Sequence, residues 1–426
     1  MSATDTTETA VAPSELVAKP SIKGPLTITI AAVVGTALFA YLADSKKTTT
    51  FNFNLGSTTV NLPDLKVNAQ TGALIFGAVA IVFAISTWFL RDRKKMTAAA
   101  MAISGVALLM SFFCWVGGGP NPVQFTGLLQ GSLWLAVPLI YGAMSGVLAE
   151  RSGVININIE GQLLVGAFIA AVVASLTHNS WLGLIAAPFG GLLLGLLLAA
   201  FATKYFVDQV VVGVVLNVLA VGMTNFLYGV FLAPNANSWN NPSVLANWNV
   251  PILSKIPIIG PIFFQANVVV YAMYVLVILV QFFLFHTRWG LRVRSVGEYP
   301  DAADSIGIKV NRTRFRTVLI ASMVAGLGGA YLTIGSVGQF SKEMVSGQGF
   351  IALAAVIFGR WTPLGSVGAA LLFGFALNLQ YAVSILGVQL PSQFLLMLPY
   401  VVTIFAVAGL VGKVRAPGAD GIPFRK

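Results

Sequence analysis

The chain has 426 residues, of which 57% are hydrophobic and only 9% charged, with a formal net charge of +11. A soluble domain is nearer half apolar and a quarter charged, so this composition excludes an ordinary soluble protein and describes a polytopic membrane one. The apolar runs are continuous rather than alternating, which points to an all-α bundle and away from a transmembrane barrel.

Residues 1–23 are rich in Thr, Ala and Ser, carry Asp5, Glu8 and Glu15, and lack the basic start of a signal peptide; they read as a disordered tail. A spanning helix needs about 20 mainly apolar residues, and about ten to twelve such segments are expected on that measure. They fall near 24–43, 71–90, 96–116, 126–148, 153–176, 181–203, 209–232, 266–286, 315–335, 363–384 and 393–412, with 348–360 short enough to be a half-helix or re-entrant. The first three form an N-terminal extension, 24–119. Its loop alternates like a small hairpin: Phe51, Phe53 and Leu55, then Gly56-Ser57, then Val60 and Leu62. The turn-rich "VGGGPNP" leads into a continuous core, 120–412, and a short tail, 413–426.

With both termini cytoplasmic and every segment crossing, all Lys and Arg except Lys46, Lys47, Lys66, Lys255 and Lys342 face the cytoplasm. That is the positive-inside bias, and it accounts for the net charge without a nucleic-acid partner. The long outer loop, about 233–265, reads either as a docking surface or as a solvated connector. The single cysteine, Cys114, allows no intrachain disulfide and no cysteine metal cluster.

Two core segments are interrupted. "SGVININIEGQ" (Ser152–Gln162) places Asn156, Asn158 and Glu160 at a helix start, and "SGQGFIALAAVIFGRWTPLGS" (Ser346–Ser366) is broken by glycines and Pro363. Broken segments at matching places in two halves of a transporter often mark its pathway. A third passage, "GEYPDAADSIGI" (Gly297–Ile308), is dense in charge. Pro300 suits a first helical turn, Glu298 and Asp301 a helix N-terminus, and Gly307 a stop, with Ala302, Ala303 and Ile306 expected on one face. A helix of about two turns is not stable alone in water, so it packs on the membrane helices or on a cytoplasmic partner; the alternative is a solvated loop.

The stretch "WGLRVRSVGEYPDAADSIGIKVNRTRFRTVLIASMVAGLGGAYL" resembles the cytoplasmic loop of permease subunits in bacterial ABC importers, in the branch with ribose, simple-sugar, nucleoside and branched-chain amino-acid permeases. "LAERSGVININIEGQLLVGAF" and "GQGFIALAAVIFGRWTPLGSVGAALLFGFALNLQ" resemble the same family, and together they look most like its nucleoside-uptake members. The likeness covers roughly 121–412. The N-terminal extension has no counterpart in shorter relatives, and the usual glycine between the isoleucines of the second motif is Asn158 here.

The resemblance implies a coupling helix over 298–307, with Glu298, Pro300, Asp301, Ala302, Ala303, Ile306 and Gly307 seated in a cleft of a cytoplasmic ATPase. It also implies a second permease subunit and an extracellular substrate-binding lipoprotein in a multi-pass plasma-membrane assembly. ATP and Mg would be used by the ATPase, and no cofactor by this chain, which has no G-x-x-x-x-G-K-[ST].

Intramembrane polar residues are the candidates for the translocation path: Asn156, Asn158, Glu160, Asn217, Asn225, Asn378 and Gln380, with Gln162, Thr224 and Gln393 in the wider set. Each has a plain structural reading too, cross-helix bonding for Asn217 and Asn225 and an ion pair with Arg151 for Glu160. Amides suit a neutral polyhydroxylated solute, and Phe168, Trp134 or Tyr381 offer faces for a base. An ion-coupled secondary transporter is the competing reading, with Glu160 as its main support; an integral-membrane enzyme lacks a paired motif around His178, His286 or Cys114.

Overall fold

The computed structural model describes residues 22–55, 61–386, Met397 and 415–425. Among them, ten helices are long and apolar enough to cross a membrane, so the chain is a multi-pass helical membrane protein. The expected 1–23 tail lies almost wholly outside the described residues, as do Gln393 and all of the 393–412 segment except Met397.

The extension is a three-helix unit: α1 (Lys23–Leu42), α2 (Ala69–Phe89) and α3 (Lys94–Val116). In hydrocarbon there is no hydrophobic drive between helices, so small residues and hydroxyls make the contacts. Ser104 and Ser111 of α3 donate to the carbonyls of Ala80 and Ala73 on α2, each at 2.8 Å. The hairpin is present with a wider register than the sequence suggests. Thr48–Asn52 (β1) pairs antiparallel with Leu65–Asn68 (β2), Thr48 facing Asn68 and Phe51 facing Leu65. Leu62 lies outside the strand, and Gly56, Ser57 and Val60 fall outside the described residues. A third strand, Val123–Gln124 (β3), runs parallel to β1. Phe51 is thereby buried with Val123, Leu128 and Val383, which fastens the extension to the core.

The core is built on α4 (Phe125–Arg151), buried along most of its length, with α5 (Ile159–Thr177), α6 (Ser180–Thr203) and α7 (Gln209–Leu227). The 233–265 connector folds into short turns and a two-stranded ribbon, Trp248–Asn249 with Gln265–Ala266. Then follow α8 (Val268–His286), α9 (Arg288–Glu298), α10 (Pro300–Ser305), α11 (Val310–Leu332), α12 (Gln348–Phe358) and α13 (Pro363–Ile385). Asx caps start several spans: Asp208 accepts from the Val210 and Val211 N–H groups, and Asn267 from those of Val269 and Val270, satisfying donors that a helix start leaves open. Helices α5, α6 and α11 meet backbone to backbone. A Cβ at Gly166 would lie 2.3 Å from the Gly326 carbonyl oxygen, so no larger residue fits there without parting the helices.

The short helix α10 forms as its residues predict, with Pro300 at its first position and Gly307 at φ +87° closing it. One detail differs. Ala303 is 1% exposed and packs inside the chain against Val296 and Val310, whereas Ala302 is exposed and Ile306 is 75% exposed. The three do not share one face; Ala303 anchors the helix and Ala302 and Ile306 present it. Residues 415–425, expected as a tail, dock beside α10: the Ala419 N–H donates to the Gly297 carbonyl at 2.8 Å and the Gly418 N–H to Glu298 at 3.1 Å.

Candidate functional site

The two interrupted segments meet. After Arg151 the chain does not continue as helix: residues 152–158 run back into the bundle without regular structure, and α5 begins only at Ile159, which packs against Gly142 and Gly146 of α4. These lie five to nine residues before the end of α4, so α5 starts roughly 10 Å inside that end at 1.5 Å per residue. From the opposite end, residues 338–347 re-enter the bundle, and α12 starts at Gln348 behind Gly347, whose φ of +82° only glycine adopts without cost. The two helix starts touch. A Cβ on Gly349 would sit 2.4 Å from the Glu160 nitrogen.

Glu160 closes the junction. Its Oε1 accepts the Gly347 N–H at 2.7 Å and its Oε2 the Gly349 N–H at 2.6 Å. The carboxylate belongs to the first turn of α5 and is bonded to the first turn of α12, so two helix N-termini, each with about half a positive charge, converge on it. The alternative pairing with Arg151 does not occur. Arg151 donates instead to the carbonyls of Trp361 (2.7 Å) and Arg360 (3.4 Å) at the far end of α12.

Asn217 of α7 clamps the unwound segment from the side. It accepts the Gly161 N–H at 2.8 Å and donates to the Ile157 carbonyl at 2.9 Å. Asn156 and Gln162 bond to one another and reach Ser145 of α4 and Ser322 of α11, so they cross-link four segments and have no amide left for a solute. Asn158 is the contrast: it is 0% exposed, and neither amide atom has a hydrogen-bond partner. Such a group costs about 1–3 kcal/mol when left unmet, and here it lies against Gly161 beside Asn217.

The other expected residues lie elsewhere. Asn225 bonds to Glu343 of the re-entrant loop at 3.1 Å, further along α7. Asn378 donates to the Leu128 carbonyl (2.7 Å) and to Ser132 (3.3 Å), joining α13 to the start of α4. Gln380, two residues on, is half-buried on the same helix, away from the junction. Thr224 donates to the Ala220 carbonyl of its own helix. Phe168 packs perpendicular to Phe340, with ring centroids 5.2 Å apart. Sequence reasoning missed Gln348, whose Oε1 is buried without a partner in the first turn of α12. Its place directly before an apolar run was the available signal.

Asn217→Ala is expected to destabilise the folded protein by about 2–4 kcal/mol, since it orphans a buried N–H and a buried carbonyl. Thermal unfolding of the purified protein measures this. An unchanged transition would show that the clamp carries no load.

The family described as the branched-chain amino acid transport system / permease component matches residues 128–407. The chain is 41% identical over 312 residues to the guanosine ABC transporter permease protein NupQ of Bacillus subtilis, covering 70% of this chain and 96% of that protein. It is 40% identical to the nucleoside ABC transporter permease protein NupC of Lactococcus lactis, with the same coverage of each. A putative glucose ABC transporter permease protein of Haloferax volcanii, TsgC13, is 33% identical over 60% of this chain and 77% of its own length. No solved structure matches. Helices α1–α3 precede the matched range.

Proposed function

The chain belongs to the branched-chain amino acid transport permease family, and from that premise we propose that it is the translocation subunit of an ATP-driven nucleoside importer. The observation that carries this reading is the junction of α5 and α12. Two broken helices meeting inside a bundle are the architecture of a pathway that opens and closes. The one carboxylate there is already bonded to two backbone N–H groups. The unmet capacity belongs to the amides of Asn158 and Gln348, which donate and accept without fixed charge. That suits a neutral solute with hydroxyls and ring nitrogens, in keeping with the guanosine and nucleoside named for two relatives. It disfavours an ion-coupled carrier, in which the carboxylate would be available to a proton or cation.

In this reading the end bearing α9, α10 and residues 415–425 faces the cytoplasm, as the positive-inside bias requires. A cytoplasmic ATPase uses ATP and Mg there and pushes on α10, while a sister permease and an extracellular binding protein complete the assembly. The push has a short route inward. A Cβ on Gly297 would lie 2.2 Å from the Arg151 carbonyl oxygen and 3.0 Å from the Gly153 nitrogen. The base of the coupling helix therefore rests directly on the unwound segment that leads to Glu160.

The test is uptake of labelled guanosine by cells carrying or lacking the chain, with the ATPase subunit recovered by gentle solubilisation. Ala302→Arg, on the presented side of α10, is expected to leave the protein in the membrane, lose the ATPase, and lower uptake more than about tenfold, a change of about 1.4 kcal/mol. Ala303→Arg is expected to lower the amount of protein instead, because its site is filled by Val296 and Val310. Wild-type uptake by Ala302→Arg would remove the coupling assignment, and guanosine uptake independent of the chain would remove the substrate.

A further inference from the structure

At the same end of the molecule a cavity of about 390 Å³ opens between α9 and the start of α11. Trp289 and, from the end of α10, Ile306 to Ile308 wall it, and four cations line it: Arg292 from α9, Lys309 from the turn after α10, and Arg312 and Arg316 from α11. Among the described residues no carboxylate lines it. We propose that this basic cavity binds the phosphodiester headgroup of an anionic phospholipid.

Depth selects lipid over the other polyanion at hand, an acidic surface of the ATPase. Arg312, Arg316 and Ile320 follow one another at four-residue spacing and are all exposed, so they form one stripe on α11. Arg316 stands at the start of the apolar stretch expected near 315–335, roughly 9 Å along α11 from its first residue, Val310. One turn further, the stripe becomes apolar at Ile320, and the neighbouring span α8 exposes Phe282 and Phe283 before the chain turns into α9. Cations above and exposed apolar side chains below are the profile of a headgroup with its acyl chains beneath. A half-buried Trp289 at the same level is the residue type that settles at that boundary. Arginine forks suit a phosphate's oxygens, and basic pockets between spans on the cytoplasmic side hold anionic headgroups by general electrostatics.

The experiment is native mass spectrometry of the purified full chain, equilibrated in detergent with phosphatidylglycerol and phosphatidylcholine. Phosphatidylglycerol should be retained in preference, inorganic phosphate in excess should not displace it, and the double variant R312Q/R316Q should hold it roughly thirtyfold less well, from about one charge's worth of attraction each. R91Q, which removes an exposed arginine between α2 and α3, should behave as wild type. If R312Q/R316Q fails to purify, R292Q/K309Q removes the other two cations from different elements and should give the same loss. Equal retention of the two lipids, or retention of phosphatidylglycerol by both double variants, would overturn the proposal. Displacement by inorganic phosphate would make the cavity a free-anion site. Loss of the ATPase subunit from R312Q/R316Q with lipid retention intact would make it a protein seat.

Discussion

Glu160→Gln is expected to cut ATP-driven uptake by about ten- to a hundredfold with the protein still in the membrane. The carboxylate accepts two backbone N–H groups from the start of α12. A carboxamide has one oxygen to offer, so its NH2 must face the second N–H as one donor against another. Each charge-assisted bond is worth about 1.5–3 kcal/mol, and losing one shifts the closed junction by the corresponding factor at 1.4 kcal/mol per tenfold. Glu160→Ala removes both acceptors and the anion that faces the two helix starts, and should abolish uptake. Membrane vesicles loaded with ATP and assayed for labelled guanosine, with the protein quantified alongside, read both variants. Full transport by Glu160→Gln would mean that closing this junction is no part of the transport cycle and that the solute passes elsewhere. Loss of the protein itself would make Glu160 a structural pin.

The parts of this site differ in how far the sequence exposes them. Breaks in the apolar pattern are local: Asn156, Asn158 and Glu160 before α5, and the glycines before α12, are visible within a dozen residues each. Their meeting is not visible, because Glu160 and Gly347 are 187 positions apart and the pairing is settled by which helices pack between them. The polar residues all looked alike as candidates. The structure separates Asn156 and Gln162, saturated by Ser145 and Ser322, from Asn158, which is not.

The short helix α10 was legible from its ends, Pro300 and Gly307, and misread in its middle. Six residues hold too little periodicity to define a face, and the flanking Val296 and Val310 decide that Ala303 turns inward. Residues 415–425 were opaque for another reason. "RAPGADGIPFR" has no apolar repeat, and it is held largely through backbone groups, which a residue pattern does not report.

That docked strap leads to the second large effect, at Arg314. This side chain is almost fully buried. It donates to the carbonyls of Ile422 (2.6 Å), Val296 (3.3 Å) and Ala419 (3.5 Å), and it fills the space that a Cβ on Gly153 would need. One guanidinium thus joins the strap, the end of α9 and the unwound segment behind Glu160. Arg314→Met is expected to destabilise this arrangement by about 3–5 kcal/mol, the usual result of removing one member of a buried charged cluster. The strap should become open to protease, and ATP-driven uptake should fall with it.

The effect has a pH signature. Burial pushes the Asp420 carboxyl from its ordinary 3.8 up to about 7, against the pull of Arg314 and the Gly421 N–H. A carboxyl whose pKa is raised on docking favours the docked strap fully below the unfolded value, and that contribution is lost as pH rises through about 7. Above that pH, Arg314 is what keeps an ionised Asp420 in place. Without the pull of Arg314 the carboxyl titrates higher still, so the Arg314→Met strap should be cut fastest once pH has risen past that upward-shifted point and be partly protected below it, while Asp420→Asn in the same background should flatten the profile. Proteolysis at Arg415 followed across pH, beside uptake, measures both. A strap cut equally in wild type and variant at every pH would mean that Arg314 does not hold it. A cut strap with unimpaired uptake would detach the strap from coupling and leave the contact of Gly297 with Arg151 and Gly153, and the packing of α11, to join α10 to Glu160.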